Sequence, residues 1–314
     1  MRILIQGAGG VGLGLGSFLL AAGHEVALLG RGATTRALGS HGLRRSGCFG
    51  WHTAPPETFE AASLPSDLPG PPPDFALVAV KSFDSATAAD ALAKEPERLG
   101  EAPIVLCQNG WGNAEVFAER FPKARVWNAR VITGFRRAAP HHVEVTVHAE
   151  PVRIGSLFGE PSARVAPLCQ ALSAGGLPTE PTDDVAADLW AKLLYNGCLN
   201  PACAILGVPY GALGDSEHGR ALIEALAREI FAVMHAAGWR THWSSADAWL
   251  DDFFERLLPP TASHESSMLQ DLRARRRTEV DALTGAIVAL GEEHHVPAPT
   301  NAALLRLVKM LEAN

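Results

Sequence analysis

Met1-Arg-Ile-Leu-Ile-Gln-Gly7-Ala8-Gly9-Gly10-Val11-Gly12-Leu-Gly-Leu-Gly16 decides how the chain begins to fold. Ile3-Leu4-Ile5 is a continuous apolar run of the kind buried in a parallel sheet, and Ser17 to Ala22 reads as a helix packed on it. Between them Gly7, Gly9 and Gly12 have the spacing G-x-G-x-x-G. In a strand–turn–helix setting each glycine has its own task. Gly7 makes the tight turn, Gly9 lets a pyrophosphate approach the backbone, and Gly12 lets the helix press on the sheet. The phosphates of a dinucleotide then lie at the positive end of the helix. Gly7, Ala8, Gly9, Gly10, Val11 and Gly12 are the expected phosphate cradle.

The next strand bears on which dinucleotide. His24-Glu-Val-Ala-Leu-Leu-Gly30-Arg31 follows the helix, and Arg31 stands where an NAD binder usually carries Asp or Glu. An acid there would accept from the ribose 2′-hydroxyl and repel a 2′-phosphate, whereas a guanidinium offers that phosphate a forked cation. Arg31 therefore favours NADP(H).

The 314 residues suffice for two domains with a large core. Their 47% apolar and 19% charged content is that of a water-soluble globular chain, and a net charge of −7 argues against a nucleic-acid binder. The cluster Arg273, Arg275, Arg276 and Arg277 lies among acids and reads as a solvated face. Five cysteines without zinc or disulfide spacing suit a reducing cytoplasm, and His141-His142 and His294-His295 are adjacent pairs unsuited to a metal. A core strand from residue 2 leaves no room for a signal peptide, and no apolar run reaches membrane-spanning length. The expected setting is the cytoplasm, without a membrane or nucleic-acid partner.

The first half alternates strands and helices. Strands are expected near 2–6, 25–30, 75–80, 103–107 and 125–133, with two alternating runs at 143–148 and 152–155. The early ones are apolar throughout, as in a parallel sheet covered on both faces, and the later alternation suggests antiparallel edge strands. From about Thr182 helical patterns take over, at 184–205, 215–237, 244–257, 266–291 and 300–312. The expected architecture is a Rossmann-like α/β domain over 1–181, mostly parallel with antiparallel edge strands, followed by an all-α domain over 182–314. Substrate belongs at the carboxyl ends of the parallel strands.

Asp188-Leu-Trp190-Ala-Lys192-Leu-Leu-Tyr-Asn196-Gly-Cys-Leu-Asn200-Pro201 carries the best catalytic signal. On a helix Lys192, Asn196 and Asn200 stand at i, i+4 and i+8, spread over only about 80°. Leucines and Cys198 surround them. Burying such groups unpaired costs about 1–3 kcal/mol each, so they either satisfy one another and a loop or line a polar cleft. An ammonium with an ordinary pKa of about 10.4 can polarise a carbonyl oxygen and then donate a proton as hydride reaches the carbon. Asn109, in Gln108-Asn109-Gly110, directly follows a strand, although Asn-Gly is also a common turn. Lys81 closes another strand near the expected cofactor edge. Ser266 to Asp281 is densely polar, and an unbroken helix would put Ser267 and Glu279 about 18 Å apart along its axis. The other reading starts the helix after Ser267.

Taken in order, Gly-Ala-Gly-Gly-Val-Gly, Val-Lys81-Ser, Gln-Asn109-Gly, Trp-Ala-Lys192-Leu-Leu-Tyr-Asn196-Gly-Cys-Leu-Asn200-Pro and Ser-Ser267-Met-Leu-Gln-Asp with Glu279-Val-Asp resemble the ketopantoate reductase family over the whole chain. The resemblance implies an NADP-dependent oxidoreductase that reduces 2-dehydropantoate to (R)-pantoate, on the route to pantothenate and coenzyme A. It implies Lys192 as proton donor, Asn109 at both nicotinamide and substrate, and Asn196, Asn200 and Ser267 at the substrate. Lys81 and Glu279 would contact the cofactor. The chain departs from the family pattern at two positions. Tyr210, in Pro209-Tyr210-Gly211, stands where an Asn is frequent, and His264 where an Asn occurs. Both are expected to shape the substrate pocket, so another 2-oxo acid, bulky or aromatic, is the alternative substrate. The β-hydroxyacid dehydrogenases also pair a helical Lys with an Asn four residues on, but usually after a glycine-rich run that Asp188-Leu-Trp190-Ala191 lacks. A non-catalytic NADP(H) sensor would have lost the proton donor. The expected partner is a small 2-oxo acid, and a homodimer is compatible with the sequence.

Overall fold

The computed structural model describes Met1–Ala313. Its chain forms two compact units, one of Met1–Gln108 with Asn113–Val185, the other of Asn109–Gly112 with the residues from Ala186 onward. Among the described residues no helix is long and apolar enough to cross a membrane.

The first unit has twelve strands. They are β1 (Arg2–Gln6), β2 (Glu25–Leu29), β3 (Leu43–Gly47), β4 (His52–Ala54), β5 (Glu60–Ala62), β6 (Phe75–Val78), β7 (Ile104–Leu106), β8 (Val126–Arg130), β9 (Thr133–Ala139), β10 (His142–His148), β11 (Val152–Gly155) and β12 (Thr179–Pro181). Eight form one sheet in the order β12-β11-β8-β7-β6-β1-β2-β5, parallel except where β11 runs antiparallel to β8. Its helices are α1 (Gly10–Ala21), α2 (Gly32–His41), α3 (Ser85–Ala93), α4 (Pro96–Leu99), α5 (Asn113–Ala118) and α6 (Ala166–Ala174). Because successive strand residues face opposite ways, Ile3, Ile5, Leu28, Leu77 and Val105 join Leu15 and Phe18 of α1 in one core. Leu4, Ala27, Ala76, Val78 and Ile104 join Ala88, Leu92 and Phe117 on the other face. Burying each larger aliphatic or Phe side chain contributes about 1.5–3 kcal/mol, which is why these runs carry almost no polar residue.

A second sheet differs from the sequence expectation. The run expected over 125–133 ends at Arg130 and a new strand, β9, begins at Thr133. The alternating run at 143–148 is also not an edge of the main sheet. It lies in β10, within a four-stranded sheet of order β4-β3-β10-β9. Residues 152–155 do form an antiparallel strand of the main sheet. β3 and β4, short and mostly polar, are held by pairing with each other and with β10.

The second unit is helical, with α7 starting at the end of the first. Its elements are α7 (Val185–Leu206), α8 (Tyr210–Gly214), α9 (Glu217–Ala236), α10 (Ala246–Asp252), α11 (Ser267–Arg273), α12 (Thr284–Glu293) and α13 (Pro299–Glu312). α10 runs on into a π turn over Phe253–Leu257. The helix expected over 266–291 is interrupted. Ser266 caps α11 by accepting from Leu269 N at 3.0 Å, and α11 ends after Arg273. There Arg276 N donates to Asp271 O, Arg275 N donates to Leu272 O, and Arg275 takes a left-handed φ of 51°. This is a Schellman closure with arginine where glycine is usual. The Arg276 guanidinium bonds Asp271 Oδ1 at 3.0 Å and ties the turn.

Candidate active site

In the first unit the glycine loop leads from β1 into α1, whose N-cap is Gly9. Gly7 has φ +110°, and a Cβ on it would come within 2.6 Å of Val80 N. A Cβ on Gly12 would stand 1.9 Å from Gly7 O, and one on Gly10 2.6 Å from Phe135 O. These three glycines are demanded by the protein's own packing. Gly9 is not: a Cβ there would meet no protein atom within 4 Å. The open side of Gly9 leaves room for a ligand to approach the backbone, as the pyrophosphate of a dinucleotide would need. Gly7 N and Ala8 N both donate to Leu29 O, at 2.9 and 3.0 Å, so Ala8 serves the turn with its N–H. Leu13 N is the first donor to close on Gly9 O, which leaves the first-turn N–H groups of Gly10, Val11 and Gly12 for an anion. Arg31 is the N-cap of α2, with a side chain 91% exposed, and it donates to Asp84 Oδ2 at 3.2 Å. Lys81 precedes the short 3-10 turn Ser82–Asp84 after β6.

In the second unit α7 continues through Pro201, so Lys192, Asn196 and Asn200 keep their helical spacing. Lys192 Nζ donates to Asn109 Oδ1 at 2.7 Å, and Asn109 Nδ2 donates to Glu279 Oε2 at 3.1 Å. The cation, the amide and the 7%-exposed carboxylate form one chain of bonds. Opposite partners fix both the position of the Asn109 amide and which of its ends faces the lysine. The break after α11 carries Glu279 to this place. Thr278, fully buried, donates through N and Oγ1 to Glu312 Oε1, at 2.7 Å each. The two continuations of the stripe differ. Asn196 makes no side-chain hydrogen bond to a described residue, although it sits on a helix with apolar neighbours. Asn200 is 5% exposed, and its Oδ1 accepts from Tyr210 Oη at 2.6 Å.

The two positions that depart from the family pattern lie together. Tyr210 is buried, with its N–H on His264 O at 3.1 Å and its ring 5.2 Å from the His264 imidazole. Burial pushes the Tyr210 phenol up and the His264 imidazole down, so both are neutral near pH 7. Tyr195 packs edge-on against Tyr210, and its hydroxyl bonds Thr261 Oγ1. The structure thus gathers Asn200, Tyr210 and His264 into one aromatic-lined cluster. Ser267 is the exposed first residue of α11, and its hydroxyl has no partner among the described residues. Ser266, not Ser267, is the helix cap.

One residue escaped sequence reading. Trp111 follows Asn109-Gly110 and is 8% exposed, packed against Trp190 and Trp239. A tryptophan between two loop glycines is itself a signal, since so large an apolar ring is seldom left in water.

The sequence profile described as ketopantoate reductase PanE/ApbA matches residues 3–158, and that of its C-terminal region matches residues 184–312. The 2-dehydropantoate 2-reductase of Aquifex aeolicus is 35% identical over 99% of this chain and 97% of its own. A crystal structure of a PanE/ApbA family ketopantoate reductase from Ralstonia eutropha JMP134 superposes with a TM-score of 0.86 at 32% identity, covering 100% of this chain and 99% of that one. A D-mandelate dehydrogenase, solved as a ternary structure with NADH and anilino(oxo)acetate, shares the fold at 22% identity and a TM-score of 0.86, covering 100% of this chain and 99% of that one. The chain is an enzyme of the ketopantoate reductase family, whose members are nicotinamide-dependent oxidoreductases acting on CH–OH.

Proposed function

We propose that this enzyme reduces 2-dehydropantoate to (R)-pantoate with NADPH, on the route to pantothenate and coenzyme A. The observation that carries the reading is the bonded series Lys192–Asn109–Glu279, beside an Asn196 whose side chain has no hydrogen-bond partner among the described residues. When bound, NADPH supplies the hydride. Lys192 then has two tasks, to polarise the 2-oxo oxygen and to give it a proton as negative charge develops there. Asn109 holds the ammonium in place and Glu279 holds Asn109. Asn196 and Ser267 keep side-chain donors for the substrate, and Ser267 suits its carboxylate. Gly9 to Gly12 would hold the pyrophosphate and Arg31 the 2′-phosphate, with Lys81 at the cofactor. Five free cysteines suit a reducing cytoplasm.

A second substrate class is favoured by one observation. Tyr210 takes up Asn200 Oδ1 and spends its own hydroxyl in doing so, which leaves an aromatic wall beside His264. A 2-oxo acid with an apolar or aromatic side chain would suit such a wall. The discriminating experiment compares kcat/KM for 2-dehydropantoate, 2-oxoisovalerate and benzoylformate with NADPH. A preference for 2-dehydropantoate of 100-fold or more, roughly 2.7 kcal/mol in the transition state, is the expected outcome. A preference for either other acid moves the assignment to the second class. No turnover of any of them contradicts both.

A further inference from the structure

We propose that Trp111 is a positioning residue for proton transfer, setting the Asn109 amide against Lys192 from a clamp inside the helical unit. The inference rests on the proposed role of Lys192. The loop Asn109–Gly112 belongs to the helical unit although the chain on either side of it does not. Within it only Trp111 has a side chain that can anchor by packing, since its neighbours Gly110 and Gly112 have none and both take positive φ, +89° and +91°.

The anchor reaches the same two elements that supply the partners of Asn109. The Trp111 ring centroid lies 4.8 Å from that of Trp190, two residues before Lys192 on α7, and 5.0 Å from that of Trp239, edge-on at 70°. Its backbone N–H donates to Ala282 O at 2.9 Å, three residues after Glu279. A Cβ on Gly110 would stand 2.2 Å from that same Ala282 oxygen, so the loop backbone lies directly on the turn that follows Glu279. The indole and the peptide of one residue therefore fix the loop against both the lysine helix and the glutamate turn. Asn109 needs both references, because it must accept at 2.7 Å from one side and donate at 3.1 Å to the other. A shift of about 1 Å would break at least one of these bonds, and displacements of that size cost up to about 10²-fold in rate. The bland alternative is that Trp111 only fills core space, in which case truncation lowers stability and leaves the chemistry alone.

The test compares Trp111→Ala, Trp111→Phe and a control truncation, Leu226→Ala, a fully buried residue of α9 with no part in the clamp. For each folded variant kcat, both KM values and the pH–rate profile are measured with 2-dehydropantoate and NADPH. Trp111→Ala is expected to lower kcat by about 10- to 100-fold with the NADPH KM within about twofold. Its basic limb should move to lower pH, since Asn109 Oδ1 no longer favours the charged ammonium. Trp111→Phe should restore most of kcat, and Leu226→Ala should lose melting temperature while keeping both kcat and the limb. A Trp111→Ala enzyme with wild-type kcat and an unmoved limb overturns the proposal. A second readout needs no turnover. The side-chain amide NMR signals of Asn109, assigned by their loss in Asn109→Asp, should shift in Trp111→Ala and not in Leu226→Ala. Unchanged Asn109 signals overturn the proposal whatever the enzyme's substrate, while a wild-type protein that reduces no 2-oxo acid overturns the functional reading alone.

Discussion

The glycine loop and the Lys192 centre are both candidate working parts, and they are built in opposite ways. Gly7, Gly9 and Gly12 lie within six residues of one another, in the turn between a strand and a helix that adjoin in sequence. Lys192 and Asn109 are 83 residues apart, and Asn109 and Glu279 are 170 apart. The loop is a local backbone constraint, while the polar centre is a meeting of distant segments that only the folded helical unit produces. A local constraint is repeated wherever the same chemistry is needed, so its spacing is recognisable. A distant pairing leaves no mark in the sequence of which residues meet.

Within the glycine loop, Gly12 and Gly9 should respond differently to the same added methyl group. Gly12→Ala must move Gly7 O from a 1.9 Å contact, and overpacking of this kind costs about 1–3 kcal/mol or more. Its melting temperature should fall by roughly 2–8 °C, with NADPH binding lost as well. Gly9→Ala meets no protein atom and should keep its melting temperature while losing NADPH affinity. Thermal melts and fluorescence titration with NADPH check both. Equal thermal losses in the two variants would contradict the division between packing and ligand approach.

Arg31 gives a smaller and more selective effect. Its replacement by Ala should raise the NADPH KM by about 10-fold, the equivalent of about 1.4 kcal/mol, and leave NADH kinetics nearly unchanged. The Asp84 pair is an exposed one and contributes little by itself, so the effect is read on the cofactor rather than on stability. Equal changes with NADH and NADPH would remove Arg31 from cofactor selection.

The smallest effect concerns His264 at the aromatic wall. Its folded-state pKa is depressed by burial, so protons bind the unfolded chain more readily. Its contribution is fully present above the ordinary histidine value of about 6.5 and is lost as pH falls below it. His24, His52, His141 and His148 are depressed in the same direction and share this window. Melting temperature should therefore fall between pH 7.5 and 5, and less steeply in His264→Phe than in the wild type. An identical slope in the two proteins would show that His264 takes no part.

What was legible follows the same division. β1, β2, β6 and β7 announce themselves as apolar runs buried on both faces, and α7 by its periodicity and its stripe at i, i+4 and i+8. β3 and β4 were missed because Leu43-Arg-Arg-Ser-Gly and His52-Thr-Ala carry no apolar run and owe their form to pairing with each other and with β10. The break after Arg273 was missed because the left-handed position is filled by Arg275 instead of glycine, and a hydrogen-bonded closure outweighs its local cost. Of the polar centre, the sequence shows Lys192 in a suspicious setting but not that Asn109 faces it, nor that Tyr210 closes on Asn200. Trp111 could have been suspected, because a tryptophan flanked by two glycines needs a place to be buried.

The most direct test of the account is Lys192→Ala, measured for NADPH binding and for kcat on the same preparation. The glycine loop and the lysine are separate devices, so NADPH affinity should stay near normal while kcat falls by about 10²–10⁴-fold, the usual range for a positioned proton donor. The basic limb of the pH–rate profile should vanish with it. A variant that keeps more than about a tenth of wild-type kcat, or whose pH profile retains its basic limb, would contradict the account and leave Lys192 as a core lysine held by Asn109.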